Sequence, residues 1–182
     1  MRLMPADRDT LPNDLAALME GAEAMMGFTA NDGLLMARKP AMMKALSALT
    51  MSIYRDTSLD QGLIRLVAYV ASTAAGCRYC KGHTAFGAMN HGVSKEQLAD
   101  AWAYETSEHY SDGERAALRL AHHAAVAPHE VSDEVFDRLR PHWSEQEIID
   151  IVAVISLFGF LNRWNSVLGT DLEEMVANAT SE

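Results

Sequence analysis

The chain has 182 residues, 49% hydrophobic and 22% charged, which suits one globular domain with a substantial core. Its formal net charge of −10 repels phosphate backbones and anionic headgroups, so neither nucleic acid nor a membrane surface is an expected partner. Cys77 and Cys80 are too few for a disulfide scaffold, and the opening MRLMPADRDTLPND lacks the apolar stretch of a secretory signal, so a cytoplasmic protein is expected.

Hydrophobic periodicity predicts helices near 12–26, 33–54, 59–75, 77–91, 95–108, 112–126, 133–140, 145–168 and 171–178. Pro40 should break or kink the second of these, because proline lacks the amide proton a helix interior needs. In the third, Leu63, Leu66, Val67, Val70 and Ala74 fall on one helix face. Capping boxes, a serine with Glu or Gln three residues on, mark starts at Ser58…Gln61, Ser94…Gln97, Ser111…Glu114 and Ser144…Glu147. Gly76, Gly92, Pro128 and Gly169 supply the stops. The run 148–161 is apolar nearly all round but shorter than the ~20 residues of a membrane span, so it reads as a helix buried in the core or a subunit interface. No Asn-Gly or Asp-Gly turn joins alternating segments, so almost no β structure is expected. The expected architecture is all-α and single-domain: N-terminal helices in 1–57, a core in 58–168 and a tail in 169–182. The methionines read as core fillers.

The chemistry concentrates at Cys77-Arg-Tyr-Cys80, with His83 three residues further on. A helix beginning near Cys77 puts both sulfurs at its first turn, where free amide protons and the helix dipole favour a thiolate. Residues 77, 80, 83 and 84 share one face, so His83 is expected to take or relay the Cys80 proton and Thr84 to add a hydrogen bond. Arg65, Tyr69, Ser72, Thr73 and Gly76 form a polar line on the preceding helix. A hairpin folding the next helix back beside it would bring the Arg65 guanidinium to the sulfur. Other readings stay open. A structural zinc site needs four ligands, and no second pair with ligand spacing accompanies this one. Covalent haem needs His directly after the second Cys, where Lys81 stands. Two buried, inert cysteines are the bland alternative. Glu105 is a candidate relay carboxylate, and Asn162-Arg163-Trp164-Asn165 could support the site or an interface.

Across GCRYCKGHTAFGAMNHGVSKEQLADAW, and on through SDGERAALRLA and IVAVISLFGFLNRWN, the chain resembles the alkylhydroperoxidase D/carboxymuconolactone decarboxylase family over roughly 58–168. It looks closest to the peroxidase-related branch, which carries the thiol pair. The resemblance implies an all-helical fold built round a helical hairpin and a homo-oligomer, whether dimer, trimer or hexamer. It implies Cys80 as the attacking sulfur, Cys77 as its disulfide partner and His83 as the relay. The implied activity is thiol-dependent reduction of a peroxide, or of a partner peroxiredoxin's disulfide, with no bound cofactor or metal and an external dithiol as reductant. Alternatives are a lactone or keto-acid decarboxylase or isomerase using His83, and a non-enzymatic redox sensor. Two positions depart from the family pattern. Arg65 stands where the relay glutamate is expected twelve residues before the first Cys, and Thr84 where some members place the histidine.

Overall fold

A computed structural model describes residues 1–127 and 129–180. Among them are ten α-helices, two short 3-10 turns and no strand. The helices are α1 (Asn13–Met26), α2 (Asn31–Met36), α3 (Pro40–Arg55), α4 (Gln61–Ala74), α5 (Arg78–Met89), α6 (Lys95–Ala99), α7 (Asp112–Ala125), α8 (Asp133–Asp137), α9 (Glu145–Leu168) and α10 (Glu174–Thr180). The all-α architecture expected from periodicity is the one observed.

Helix α4 is the centre. Its apolar stripe of Leu63, Leu66, Val67 and Val70 is buried, and it packs against α5, α7 and α9. With α5 it forms an antiparallel hairpin whose corner is Gly76. There φ is +70°, a left-handed conformation that glycine adopts without a Cβ clash. The hairpin is close. A Cβ on Gly62 would lie 3.0 Å from the His91 carbonyl oxygen, and one on Gly87 3.3 Å from the Arg65 side chain. Leu118 and Leu120 of α7 and Ile151, Val154 and Leu157 of α9 complete this core. A second cluster, Leu15, Met19, Met36 and Met43, joins α1, α2 and α3, with Leu161 and Trp164 of α9 packed against it.

The caps explain where helices begin, with one correction. Ser94, Ser111 and Ser144 form full capping boxes with Gln97, Glu114 and Glu147. Ser58 does not cap α4. Asp60 does, accepting from the amides of Gly62 and Leu63, because its carboxylate sits directly before the first turn. The predicted helix 33–54 is split, with α3 starting at Pro40, the first-turn position proline tolerates.

Three predicted helices are shorter than expected. The segment 95–108 leaves α-helix after Ala99, passes through a 3-10 turn (Asp100–Ala103), and is then held by side chains: Ser107 Oγ donates to Asp100 at 2.9 Å. Helix α8 ends at Asp137 and α10 begins only at Glu174. The stop expected at Pro128 lies outside the described residues. Helix α9 runs 24 residues, so by length and composition it could cross a membrane, yet one side packs into the core of this chain. The C-terminal segment is more than a tail: a Cβ on Gly82 of α5 would stand 2.9 Å from the Leu172 side chain, so glycine is what lets this segment lie against the helix.

Candidate redox site

Cys77 is the N-cap residue of α5, and its sulfur accepts from the Cys80 amide at 3.5 Å. The helix start expected from sequence is therefore present, and the first-turn amides aim at a sulfur. The thiols are free and both are buried, each 2% exposed. The Cys80 thiol, hydrogen-bonded to Cys77, is the largest influence lowering the Cys77 pKa to about 6; the amides of Cys80 and Tyr79 and the Ser166 side chain add to it against the cost of burial. Cys80 moves the other way. It gives its proton to the Cys77 sulfur, and burial and the neighbouring thiolate push its own pKa up. Of the two, the Cys77 thiol is therefore the more acidic.

Around the sulfurs lies a network that the sequence does not announce. Asn165 of α9 donates its amide to Cys80 Sγ at 3.4 Å and to Asp32 of α2 at 3.2 Å, while Thr170 donates to Asn165 Oδ1 at 2.8 Å. The Tyr79 hydroxyl faces two carboxylates, Glu173 at 2.8 Å and Asp32 at 3.2 Å. Burial and those two charges push its pKa up, so it stays a donor. His83 stacks on Tyr79 with ring centroids 4.2 Å apart, and Phe28 meets its edge at 5.3 Å. Its Nε2 lies 2.5 Å from Glu173 Oε2. Burial works to raise the Glu173 carboxyl, but the hydrogen bond and charge of His83 and the Asn31 amide prevail and hold it below its usual value.

The expected site residues separate into two sets. Cys77, Cys80 and His83 share the α5 face as their spacing required. No hydrogen bond joins the imidazole to either sulfur among the described residues; the recorded bond of His83 goes to Glu173. Thr84 is spent on its own helix, donating to the Cys80 and Lys81 carbonyls at 2.7 and 3.1 Å, so it does not reach a sulfur. Arg65 is not at the thiols. The hairpin is antiparallel, so a residue far from the corner on α4 meets one far from it on α5, and Arg65 lies against Gly87. Its guanidinium donates to the Gln61 carbonyl and side chain and covers the Tyr54 ring at 4.9 Å. Glu105 is also elsewhere, with both oxygens held by Arg119 on α7.

Asn165, which did belong to a segment singled out in the sequence, supports the site. Asp32, Tyr79 and Glu173 had no local signal, apart from Tyr79 lying inside the thiol motif. Among the described residues no three His, Cys, Asp or Glu side chains converge as a metal-binding group. A groove of about 630 Å³ runs between α3 and α9 and is lined by Leu46, Leu49, Ile53, Leu157 and Phe160, away from the sulfurs.

An all-helical hairpin presenting a cysteine at a helix N-cap one turn before a second free thiol defines a dithiol protein. Residues 40–123 match the carboxymuconolactone decarboxylase family. The chain is 33% identical to the debrominase Bmp8 in its apo crystal structure, with a TM-score of 0.89 over 96% of this chain and 93% of that one. A cysteine-to-alanine variant of Bmp8 in complex with 2,3,4-tribromopyrrole is 31% identical, with a TM-score of 0.91 over 98% and 95% of the two chains. An alkylhydroperoxidase D-core, peroxidase-related protein from Ralstonia eutropha JMP134 shares the fold at 23% identity, with a TM-score of 0.86 over 96% and 93%. The Bacillus subtilis (strain 168) protein YdfG is 27% identical over 114 residues, 62% of this chain and 76% of its own. This chain belongs to the carboxymuconolactone decarboxylase family.

Proposed function

We propose that this protein is a thiol-dependent reductase that cycles Cys77 and Cys80 between dithiol and disulfide, with a hydroperoxide as its electron acceptor. The observation that carries the reading is the Cys77 sulfur at the α5 N-cap, accepting from the Cys80 amide at 3.5 Å, a setting that pulls the Cys77 thiol down to about 6 chiefly through the Cys80 thiol. The Cys77 thiolate attacks the terminal peroxide oxygen, the O–O bond breaks, and Cys77 becomes a sulfenic acid while the alkoxide leaves and is protonated. The Cys80 thiol then attacks the sulfenic sulfur. The disulfide forms, water leaves with the Cys80 proton, and two electrons have passed from the thiols to the peroxide. An external dithiol reduces the 77–80 disulfide by exchange, and the disulfide of a peroxiredoxin-type partner is an alternative acceptor for the same two electrons. The family resemblance assigns the first attack to Cys80; the hydrogen bonding of this chain favours Cys77, and His83 carries protons for the site.

A second reading shares every residue. Similarity to a debrominase over nearly the whole chain supports attack of the same thiolate on an aryl bromine. The aromatic carbon leaves as a carbanion and takes up a proton, the Cys80 thiol displaces bromide from the sulfenyl bromide, and the same disulfide results.

One experiment separates these. Reduced protein is mixed with cumene hydroperoxide or with a bromopyrrole, and the 77–80 disulfide is followed by mass spectrometry. Rapid disulfide formation with the peroxide supports the first reading, and with the bromopyrrole the second. Oxidation no faster than a free thiol in both arms sinks both. Lactone turnover that persists in Cys80→Ser would point to the decarboxylase. The protein is further proposed to act in the cytoplasm and to form a homo-oligomer; the exposed apolar residues Ile149, Phe160 and Val167 along α9 support the oligomer.

A further inference from the structure

The relay carboxylate that the resemblance places at residue 65 is absent there, yet a carboxylate does reach His83 from the opposite end of the chain. Glu173 stands 9% exposed just before α10, with every contact specified. Its Oε2 meets His83 Nε2 at 2.5 Å, and its Oε1 accepts from the Tyr79 hydroxyl at 2.8 Å and the Asn31 amide at 2.6 Å. Leu172, its neighbour, is seated on Gly82. The carboxylate is therefore held by α2, α5 and the close approach of its own backbone to α5.

We infer that Glu173 is the positioning residue that sets the tautomer of His83 and so makes this histidine a proton carrier for the thiol site. The inference rests on the dithiol reading above. A carboxylate only accepts, so in the neutral imidazole the proton must lie on Nε2, leaving Nδ1 as the free lone pair. The Cys77 thiol is the more acidic and ionises first, so the proton left to move is that of Cys80: Nδ1 takes it as Cys80 attacks the sulfenic sulfur, and Glu173 balances the imidazolium charge. The same proton then goes to the hydroxide leaving that sulfur, which departs as water, and the imidazole returns to its starting form. The charged and titratable groups that touch the ring are Glu173 and Tyr79, with Asp32 of α2 on the Tyr79 hydroxyl. On the neighbouring helices, Arg65 of α4 lies against Gly87 and is held by Gln61, while Asn165 and Ser166 of α9 meet the sulfurs and do not titrate.

Glu173→Gln is a precise probe. The amide oxygen can keep the bonds to Asn31 and Tyr79, but the amide nitrogen donates to Nε2 and drives the imidazole proton to Nδ1. The expected result is disulfide formation slowed about tenfold or more, with the acid limb of its pH profile moved to lower pH. The ¹⁵N shifts of His83 should report an Nε2-H ring in the natural protein and an Nδ1-H ring in the variant. Glu173→Asp should recover part of the rate, and thermal melting should show the variants folded. An unchanged rate, pH profile and tautomer in folded Glu173→Gln would overturn the assignment. If the natural protein forms no disulfide with either electrophile, the redox reading falls, and the tautomer measurement alone decides the role of Glu173.

Discussion

Cys77 and Cys80 have identical chemistry and nearly identical burial, yet they ionise in opposite directions. The hydrogen bond between them lowers Cys77 and raises Cys80. Cys77 also lies before the first helical residue, where amides converge on it, whereas Cys80 is raised further by burial, the charge on its partner and Asp32, against an opposing hydrogen bond from Asn165. The ultraviolet thiolate absorbance of the reduced protein should accordingly titrate with a midpoint near pH 6. A thiol whose pKa is lowered is charged above that value and neutral below it, so the signal appears as pH rises. Cys77→Ser should abolish the low midpoint. Cys80→Ser should raise the midpoint, since it replaces the thiol that contributes most to the lowering; loss of the low midpoint only in Cys80→Ser would transfer the resting charge to Cys80. The motif itself was legible in the sequence, and the influence of Asn165, Asp32 and Ser166 on its sulfurs was not, because those residues come from distant helices.

At the scale of elements, the α4–α5 hairpin transmits sequence into site geometry. Capping boxes at Ser94, Ser111 and Ser144 were readable because each is a local bargain between residues three apart. Ser58 fits the same pattern and fails because Asp60 is nearer the orphan amides, and the Ser58 hydroxyl turns to Glu147 of α9 instead. Arg65 fails as a thiolate partner for a related reason: helical periodicity reveals a face but not the residue opposite it in a hairpin.

Two glycines test the packing. Gly62→Ala puts a Cβ at 2.9 Å from Asp60 Oδ1 and 3.0 Å from the His91 carbonyl, and should cost about 2 kcal/mol in urea unfolding, because backbone cannot move aside. Gly21→Ala, on α1 with nothing within 4 Å of its Cβ, should stabilise by ~0.5–1 kcal/mol through helix propensity. Equal effects at the two positions would show that the hairpin is looser than these distances.

Over the whole molecule, two surfaces of α9 do different work. One side carries Ile151, Val154 and Leu157 into the core and Asn165 to the sulfurs; the other leaves Ile149 60%, Phe160 42% and Val167 60% exposed. The proposal that a second copy covers this outer side predicts that multi-angle light scattering gives a multiple of 20.0 kDa. Val152→Glu with Phe160→Glu should reduce that mass to the monomer by placing charge in an apolar contact. A natural protein already monomeric at micromolar concentration would refute it.

The amino-acid sequence by itself determined the helical class, most helix starts and stops, and the placing of two thiols and an imidazole on one face, since all of these follow from interactions within a few residues. Tertiary structure alone decided that Arg65 and Glu105 stand apart, that Asn165 donates to Cys80, and that Glu173 reaches His83 across 90 residues of chain. The physical reason is range: backbone geometry fixes neighbours three or four positions away, whereas the field at a buried atom is set by whatever the packed helices bring beside it.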